Sequence, residues 1–202
     1  MKLTSVVLMA GFSKRMGQPK QHVMLGDKSF LEHIIEKILG CSSSISSMVF
    51  VGQNSDLKGM RLVKRINGVW VTNPKPEDGP LSSIRLAFEV IDAGSAIMLW
   101  PTDHPMISEK TVKKLIESWR EKPDFITVPS DGERRGHPTI FPSWCQKYFY
   151  EIDLNSGAKK IMQLFPERIN HVLTDDVWIT RNLNTPELLE SAKNENSIFY
   201  QE

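Results

Sequence analysis

Cysteine is scarce in this chain of 202 residues: Cys41 and Cys145 stand far apart and form no C-x-x-C pair. That excludes a disulfide framework and a cysteine-pair metal site, and nothing demands an oxidising compartment. Charge of one sign is lacking too. Lys and Arg number 25 against 24 Asp and Glu, a net charge of +1, so there is no basic field for nucleic acid and no acidic tail. No apolar run approaches the ~20 residues of a membrane span. Lys2 followed by Leu3 to Ala10 faintly mimics a secretory signal, but Lys14 and Arg15 follow where small residues would be needed for cleavage. The expected compartment is the cytoplasm, with no membrane and no nucleic-acid partner. Internal repeats, low-complexity tracts and dividing linkers are absent as well, which predicts one domain over 1–202.

What is present fits an ordinary soluble protein: 40% hydrophobic and 24% charged residues. A chain of this length buries roughly 70% of its unfolded surface, enough for a core without staples. Val6–Met9, Met48–Val51, Val69–Val71 and Ala96–Trp100 are continuous apolar runs, and Phe125–Val128 is a fifth. Continuous runs, unlike alternating ones, mark strands covered on both faces. Helical periodicity fills the gaps. Ser29 to Glu32 reads as a capping box ahead of Ile34, Ile35, Ile38 and Leu39. Ile84, Ala87, Phe88 and Ile91 share a stripe, as do Val112, Leu115, Ile116 and Trp119 behind a Ser108 cap, and Thr185-Pro186-Glu187 opens a further helix. Strands alternating with helices predict an α/β sandwich with right-handed crossovers. Ligands of such sheets bind beyond the carboxyl ends of the strands, so the loops after Met9, Val71, Trp100 and Val128 deserve the closest reading.

The first, Gly11-Phe12-Ser13-Lys14-Arg15-Met16-Gly17-Gln18-Pro19-Lys20, has glycines that admit phosphate oxygens to backbone N–H groups, and cations to screen them. It is neither a Walker loop nor a G-x-G-x-x-G fingerprint. The bland alternative, a βα loop with solvated lysines and arginine, sits poorly with such a concentration of cations and glycines. The second, Pro101-Thr102-Asp103-His104-Pro105, brackets a carboxylate between prolines just past a buried strand. That suits a hard-metal ligand, although alone it reads equally well as a turn aspartate. The third, Gly79-Pro80-Leu81-Ser82-Ser83, offers small residues to a base or is merely an N-cap cluster. The fourth, Arg134-Arg135-Gly136-His137-Pro138, presents cations and an imidazole to a second substrate; a lone histidine is more often structural.

In order along the chain, L-x-A-G-x-S-x-R-M-G-x-P-K from Leu8, the proline-bracketed Asp103, Arg134–Pro138 and Leu183-Asn184-Thr185-Pro186-Glu187 resemble the molybdenum-cofactor cytidylyl- and guanylyltransferase family. The first motif is common to many nucleotidyltransferases. The Gly136-His137-Pro138 block and Asn155–Lys159 resemble the cytidylyltransferase branch. The resemblance implies a Rossmann-like three-layer sandwich with a mostly parallel central sheet, of the nucleotide-diphospho-sugar transferase type. It also implies a nucleotide-binding set of Leu8, Ala10, Gly11, Ser13, Arg15, Lys20, Gly79, Ser83 and Asp103. Arg15, Lys20 and Asp103 would be catalytic, Arg135, Gly136 and His137 would meet the acceptor, and Asp103 with Asn184 would bind Mg²⁺. The last motif departs from the family's D-x-D-T-P-E-D, with Asn182 and Asn184 in place of acids. An asparagine oxygen still coordinates Mg²⁺ but brings less charge. Met9 and Gln21-His22-Val23 are further departures.

The expected activity is transfer of CMP from CTP to a phosphorylated acceptor, molybdopterin, releasing pyrophosphate, with a recipient molybdoenzyme downstream. The resemblance implies CTP, because in the resembled family a glycine at this position accompanies guanylyl transfer and here it is Ala10. Two rivals remain open at this level: transfer to a sugar phosphate or other small phosphate, and a non-catalytic protein that delivers the cofactor.

Overall fold

The computed structural model describes residues 1–199. In chain order the elements are β1 (Leu3–Leu8), β2 (Met24–Leu25), β3 (Lys28–Ser29), α1 (Phe30–Gly40), β4 (Ser47–Gly52), α2 (Leu57–Arg65), β5 (Val69–Thr72) and α3 (Pro80–Phe88). There follow β6 (Ala96–Pro101), α4 (Glu109–Glu121), β7 (Ile126–Ser130), β8 (Thr139–Phe141), α5 (Gln146–Glu151), α6 (Lys159–Leu164), β9 (Ile169–Leu173) and α7 (Pro186–Phe199). The apolar runs became strands because both faces of each are covered: Val7 and Val6 of β1 point to opposite sides and are both fully buried. Seven strands form one sheet in the order β5-β4-β1-β6-β8-β7-β9. All neighbours are parallel except β8, which runs antiparallel to β6 and β7. The family's three-layer, mostly parallel architecture is the one observed.

One face of the sheet is packed by α1, α2 and α4 through Ile34, Ile38, Val63, Leu115 and Trp119. The other is packed by α3, α5 and α6 through Leu81, Ile84, Phe149 and Ile161. Each such side chain contributes ~1.5–3 kcal/mol by leaving water. The helix starts follow their caps. Ser29 Oγ accepts from the Glu32 N–H while Glu32 Oε2 accepts from the Ser29 N–H at 2.8 Å, a reciprocal cap worth ~1 kcal/mol. Ser108 Oγ caps α4 by accepting from the Thr111 N–H, while its own N–H donates to Asp176 Oδ2. A third apolar cluster lies off the sheet, where Leu183, Leu189 and Ala192 pack on Met16, Val23, Leu25 and Phe30. It joins the late part of the chain to the loop that follows β1.

The topology decides where a ligand fits. From β1 the chain steps outward to β4 and β5, then crosses back to place β6 on the other side of β1. The loops leaving β1 and β6 therefore diverge, and the space between them opens at the carboxyl ends of the strands. Among the described residues no helix is long and apolar enough to cross a membrane.

Candidate active site

A cleft of about 630 Å³ fills that space. Leu8, Ala10, Gly11, Ser13 and Lys20 line it from the β1 side, Gly79 and Ser83 from the start of α3, and Asp103, His104 and His137 from beyond β6. Each wall has a local cause. Gly79 sits at φ +82°, a conformation only glycine adopts without strain, and it turns the chain into Pro80 at the first position of α3. Asn73 Nδ2 donates to the hydroxyls of both Ser82 and Ser83 at 2.9 Å, which locks the first turn of that helix to the end of β5. In the first loop, Ser13 adopts φ 51° and Gly17 φ 67°. Ser13 Oγ accepts from the Lys20 N–H at 3.1 Å, closing the loop on itself.

Lys20 is the meeting point. Its Nζ donates to Asp103 Oδ2 at 3.1 Å and to Asn184 Oδ1. Asp103 and Lys20 side chains are 19% and 21% exposed, so the pair is screened by protein on most sides. Burial alone would push the Asp103 carboxyl up; the Lys20 ammonium, through its charge and its hydrogen bond, outweighs it and holds the group below the usual carboxylate range. Asp103 is thus an anion at neutral pH, sharing a cation with the amide oxygen of Asn184.

The Asp103 loop is tied down from several directions. Thr102 gives two hydrogen bonds to the Leu8 carbonyl, 2.7 Å from Oγ1 and 3.1 Å from N. Fully buried Trp100 donates through Nε1 to the His104 carbonyl at 3.0 Å. Lys37 Nζ donates to the Pro105 carbonyl at 2.5 Å, and Leu183 N donates to the Asp103 carbonyl at 2.8 Å. His104 and His137 lie with ring centroids 4.7 Å apart. Burial pushes the His137 imidazole down to about 3, and it holds the His104 imidazole below the ordinary histidine range as well. His137 is therefore neutral at physiological pH and brings no charge to the cleft.

Three residues expected at the site lie outside the cleft wall in this structure. Arg15 is exposed on the short 3-10 turn Lys14–Met16 and does not line the cleft, because the turn that buries Met16 swings its neighbour outward. Arg135 is also exposed and outside the cleft, with its guanidinium 3.5 Å from His171 Nε2. Gly136 is buried where an added Cβ would lie 2.5 Å from the Ile179 carbonyl oxygen; it serves close packing, while His137 N donates to that same carbonyl at 2.9 Å. Of the expected acceptor loop only His137 reaches the cleft. Sequence reading gave no role to His104, Thr102, Gln21 or Lys159, all of which line it. The one available signal was the placement of Thr102 and His104 beside Asp103.

The sequence matches the MobA-like NTP transferase domain over residues 5–172. The chain belongs to that family. A molybdenum cofactor guanylyltransferase from Sinorhizobium fredii is 27% identical over 202 residues, spanning 94% of this chain and 89% of the relative. Among solved structures, Rv0371c from Mycobacterium tuberculosis superposes with a TM-score of 0.78 at 19% identity, covering 96% of this chain and 98% of the other. The molybdopterin-guanine dinucleotide biosynthesis protein A from Archaeoglobus fulgidus superposes at 0.71 with 18% identity, covering 96% and 99%. These structural likenesses fix the fold, and the family fixes the general chemistry: the protein is a nucleotidyltransferase of the MobA-like type.

Proposed function

We propose that this MobA-like chain transfers a nucleoside monophosphate from an NTP to the terminal phosphate of molybdopterin. Lys20 and Asp103 pairing in the cleft wall, with Asn184 bonded to the same ammonium, carries this reading. It supplies a cation and two hard oxygen donors beside backbone suited to phosphate. An acceptor phosphate oxygen forms a bond to the α-phosphorus, the α–β phosphoanhydride bond breaks, and pyrophosphate leaves with the electron pair. The nucleophile is already an anion, so alignment and charge neutralisation supply the catalysis. Lys20 neutralises charge on the departing pyrophosphate, and neutral His137 and His104 border the space left for the acceptor.

The donor set also fits Mg²⁺. Among the described residues no group of three His, Cys, Asp or Glu gathers around a point, so a closed protein cage is not on offer. One carboxylate and one amide oxygen already grouped around an ammonium suit an ion that takes its other ligands from phosphates and water. Asp103 and Asn184 would hold it, and when bound it would supply Lewis-acid charge neutralisation for the phosphates.

For the base we assign guanine, on the names of the curated relatives, in place of the cytosine expected from Ala10. Cytosine remains the second reading, favoured by Ala10 being buried at 3% exposure in the cleft wall with its methyl in the place of a hydrogen. The test is pyrophosphate release with Mg²⁺, GTP or CTP, and molybdopterin. We expect GTP to give the higher kcat/KM. Preference for CTP that Ala10→Gly reduces by about 10- to 200-fold, the reach of one methyl in a pocket, selects the second reading. Turnover only with sugar phosphates, or none with any acceptor, sinks the molybdopterin assignment.

A further inference from the structure

Gln21 and His22, which depart from the resembled family, are both spent on one carboxylate. Gln21 is 3% exposed, and its Nε2 donates to Asp56 Oδ2 at 2.7 Å. His22 Nε2 lies 2.7 Å from Asp56 Oδ1 and is the donor, because an ionised carboxylate only accepts. Asp56 is at the same time the N-cap of α2, accepting from the Gly59 N–H at 2.8 Å. The carboxylate lies over Gly59 so closely that an added Cβ there would meet Oδ2 at 2.6 Å. One side chain thus starts a helix and grips the far end of the 11–20 loop.

The near end is held from the same segment. Gln53 Nε2 donates to the Ala10 carbonyl at 2.8 Å. In a planar trans peptide the C=O and the following N–H point in opposite directions. Fixing the Ala10 oxygen toward Gln53 therefore turns the Gly11 N–H to the opposite side. Between these two attachments Gly11, Phe12 and Lys14 to Pro19 are mostly exposed, and a hollow of about 360 Å³ separates the loop from Gln53, Asp56 and Lys58. The loop is a bridge fastened at its ends.

We propose that Gln53 and Asp56 are positioning residues of the NTP site: from the segment after β4 they clamp both ends of the 11–20 loop, and Gln53 sets the Gly11 N–H for the triphosphate. The clamp stands on hydrogen bonds within the chain; its purpose rests on the nucleotidyl-transfer reading above. Full-length Gln53→Leu, Gln53→Glu and Asp56→Ser serve as probes. Glutamate keeps the length of Gln53 and loses its donor. Serine keeps an N-cap for α2 and cannot reach Gln21 and His22. Hydrogen–deuterium exchange without ligand should quicken several-fold across 10–22 in each variant, with β1 and α1 as protected as before. In steady state the NTP KM should rise about tenfold for each, the worth of one lost hydrogen bond that orders a binding loop, with the acceptor KM unchanged. Unaltered exchange overturns the clamp. Faster exchange with an unaltered NTP KM overturns its role in nucleotide binding. If wild type neither binds nor turns over any NTP, the nucleotidyl-transfer reading fails together with that role, and exchange alone judges the clamp.

Discussion

The loop after β6 and the loop after β1 border the same cleft, and they are built in opposite ways. The Asp103 loop is tied to β1, to Trp100, to Lys37 and to Leu183, and almost none of it is free to move without breaking buried hydrogen bonds. The 11–20 loop is fastened at Ala10 and at Gln21–His22, folds on Ser13, and buries only Met16 in between. The first is preorganised and the second is adaptable. A carboxylate that is to hold a cation gains from being fixed before the ligand arrives, since no ordering cost falls on the binding step. A loop that wraps a flexible triphosphate gains from yielding. Lys20 lies at the seam, anchored in the yielding loop and bonded to the fixed one.

The sharpest way to break this comparison is Asp103→Ala. We expect the fold to survive, because the Asp103 backbone keeps its bond from Leu183 and no core volume is lost. Activity should fall by at least about 100-fold, as when a single preorganised electrostatic group is removed from an active site. Pyrophosphate release and a thermal melt on the same sample check both halves; near wild-type turnover in a folded variant would show that the fixed loop carries no catalytic group. A smaller effect is expected of Gly136→Ala, which drives a methyl group into the Ile179 backbone. Overpacking of that kind costs about 1–3 kcal/mol, so Tm should drop by several degrees. The KM for the acceptor should hardly change if Gly136 is packing and not contact; an acceptor defect at unchanged Tm would restore it to the site.

The smallest effect sharpens the fixed side further. Burial pushes Lys37 down to about 8, against a value of 10.5 in the unfolded chain. Between those values the unfolded state binds more protons, so the stability attributable to this residue rises with pH from about 8 to 10.5 and is flat below. Lys37→Met should lose that dependence. Urea melts of both proteins at pH 7.5, 9 and 10.5 test it: the difference in stability between wild type and variant should move in favour of wild type as pH rises, and parallel curves would mean that Lys37 is not held in a low-dielectric setting.

Much of the fold was legible because the strands near β1 lie under helices on both sides, which writes them as unbroken apolar runs. The edges were harder. β8 is only Thr139–Phe141, and β9 alternates buried Asn170 and Val172 with exposed His171 and Leu173, a pattern too short to stand out. Helix α2 has one strong signal, Asp56 before it, but Lys58, Gly59, Arg61, Lys64 and Arg65 mask its single buried stripe. In the site, Lys20 and Asp103 were readable from their loops. That Arg15 and Arg135 lie outside the cleft wall was not legible, because a cation in a glycine-containing loop looks the same in sequence whether it faces a cleft or solvent. Gln53 and Asp56 were invisible for another reason. Their partners are a main-chain oxygen and two side chains more than 30 residues away, and no local pattern marks such a contact.

The third apolar cluster has a consequence for how the molecule is made. Met16 in the 11–20 loop finds its cover in Leu183, Leu189 and Ala192, and Asn184 meets Lys20 from the same late segment. A growing chain on the ribosome will have made β1, its loop and the Asp103 loop long before these residues exist. The sheet can assemble in that interval, but the cleft stays unfinished, with Met16 bare and Lys20 short of one partner. The wall of the cleft is therefore completed only after the segment from Leu183 to Ala192 has been made, so the order of synthesis puts the sheet before the cleft.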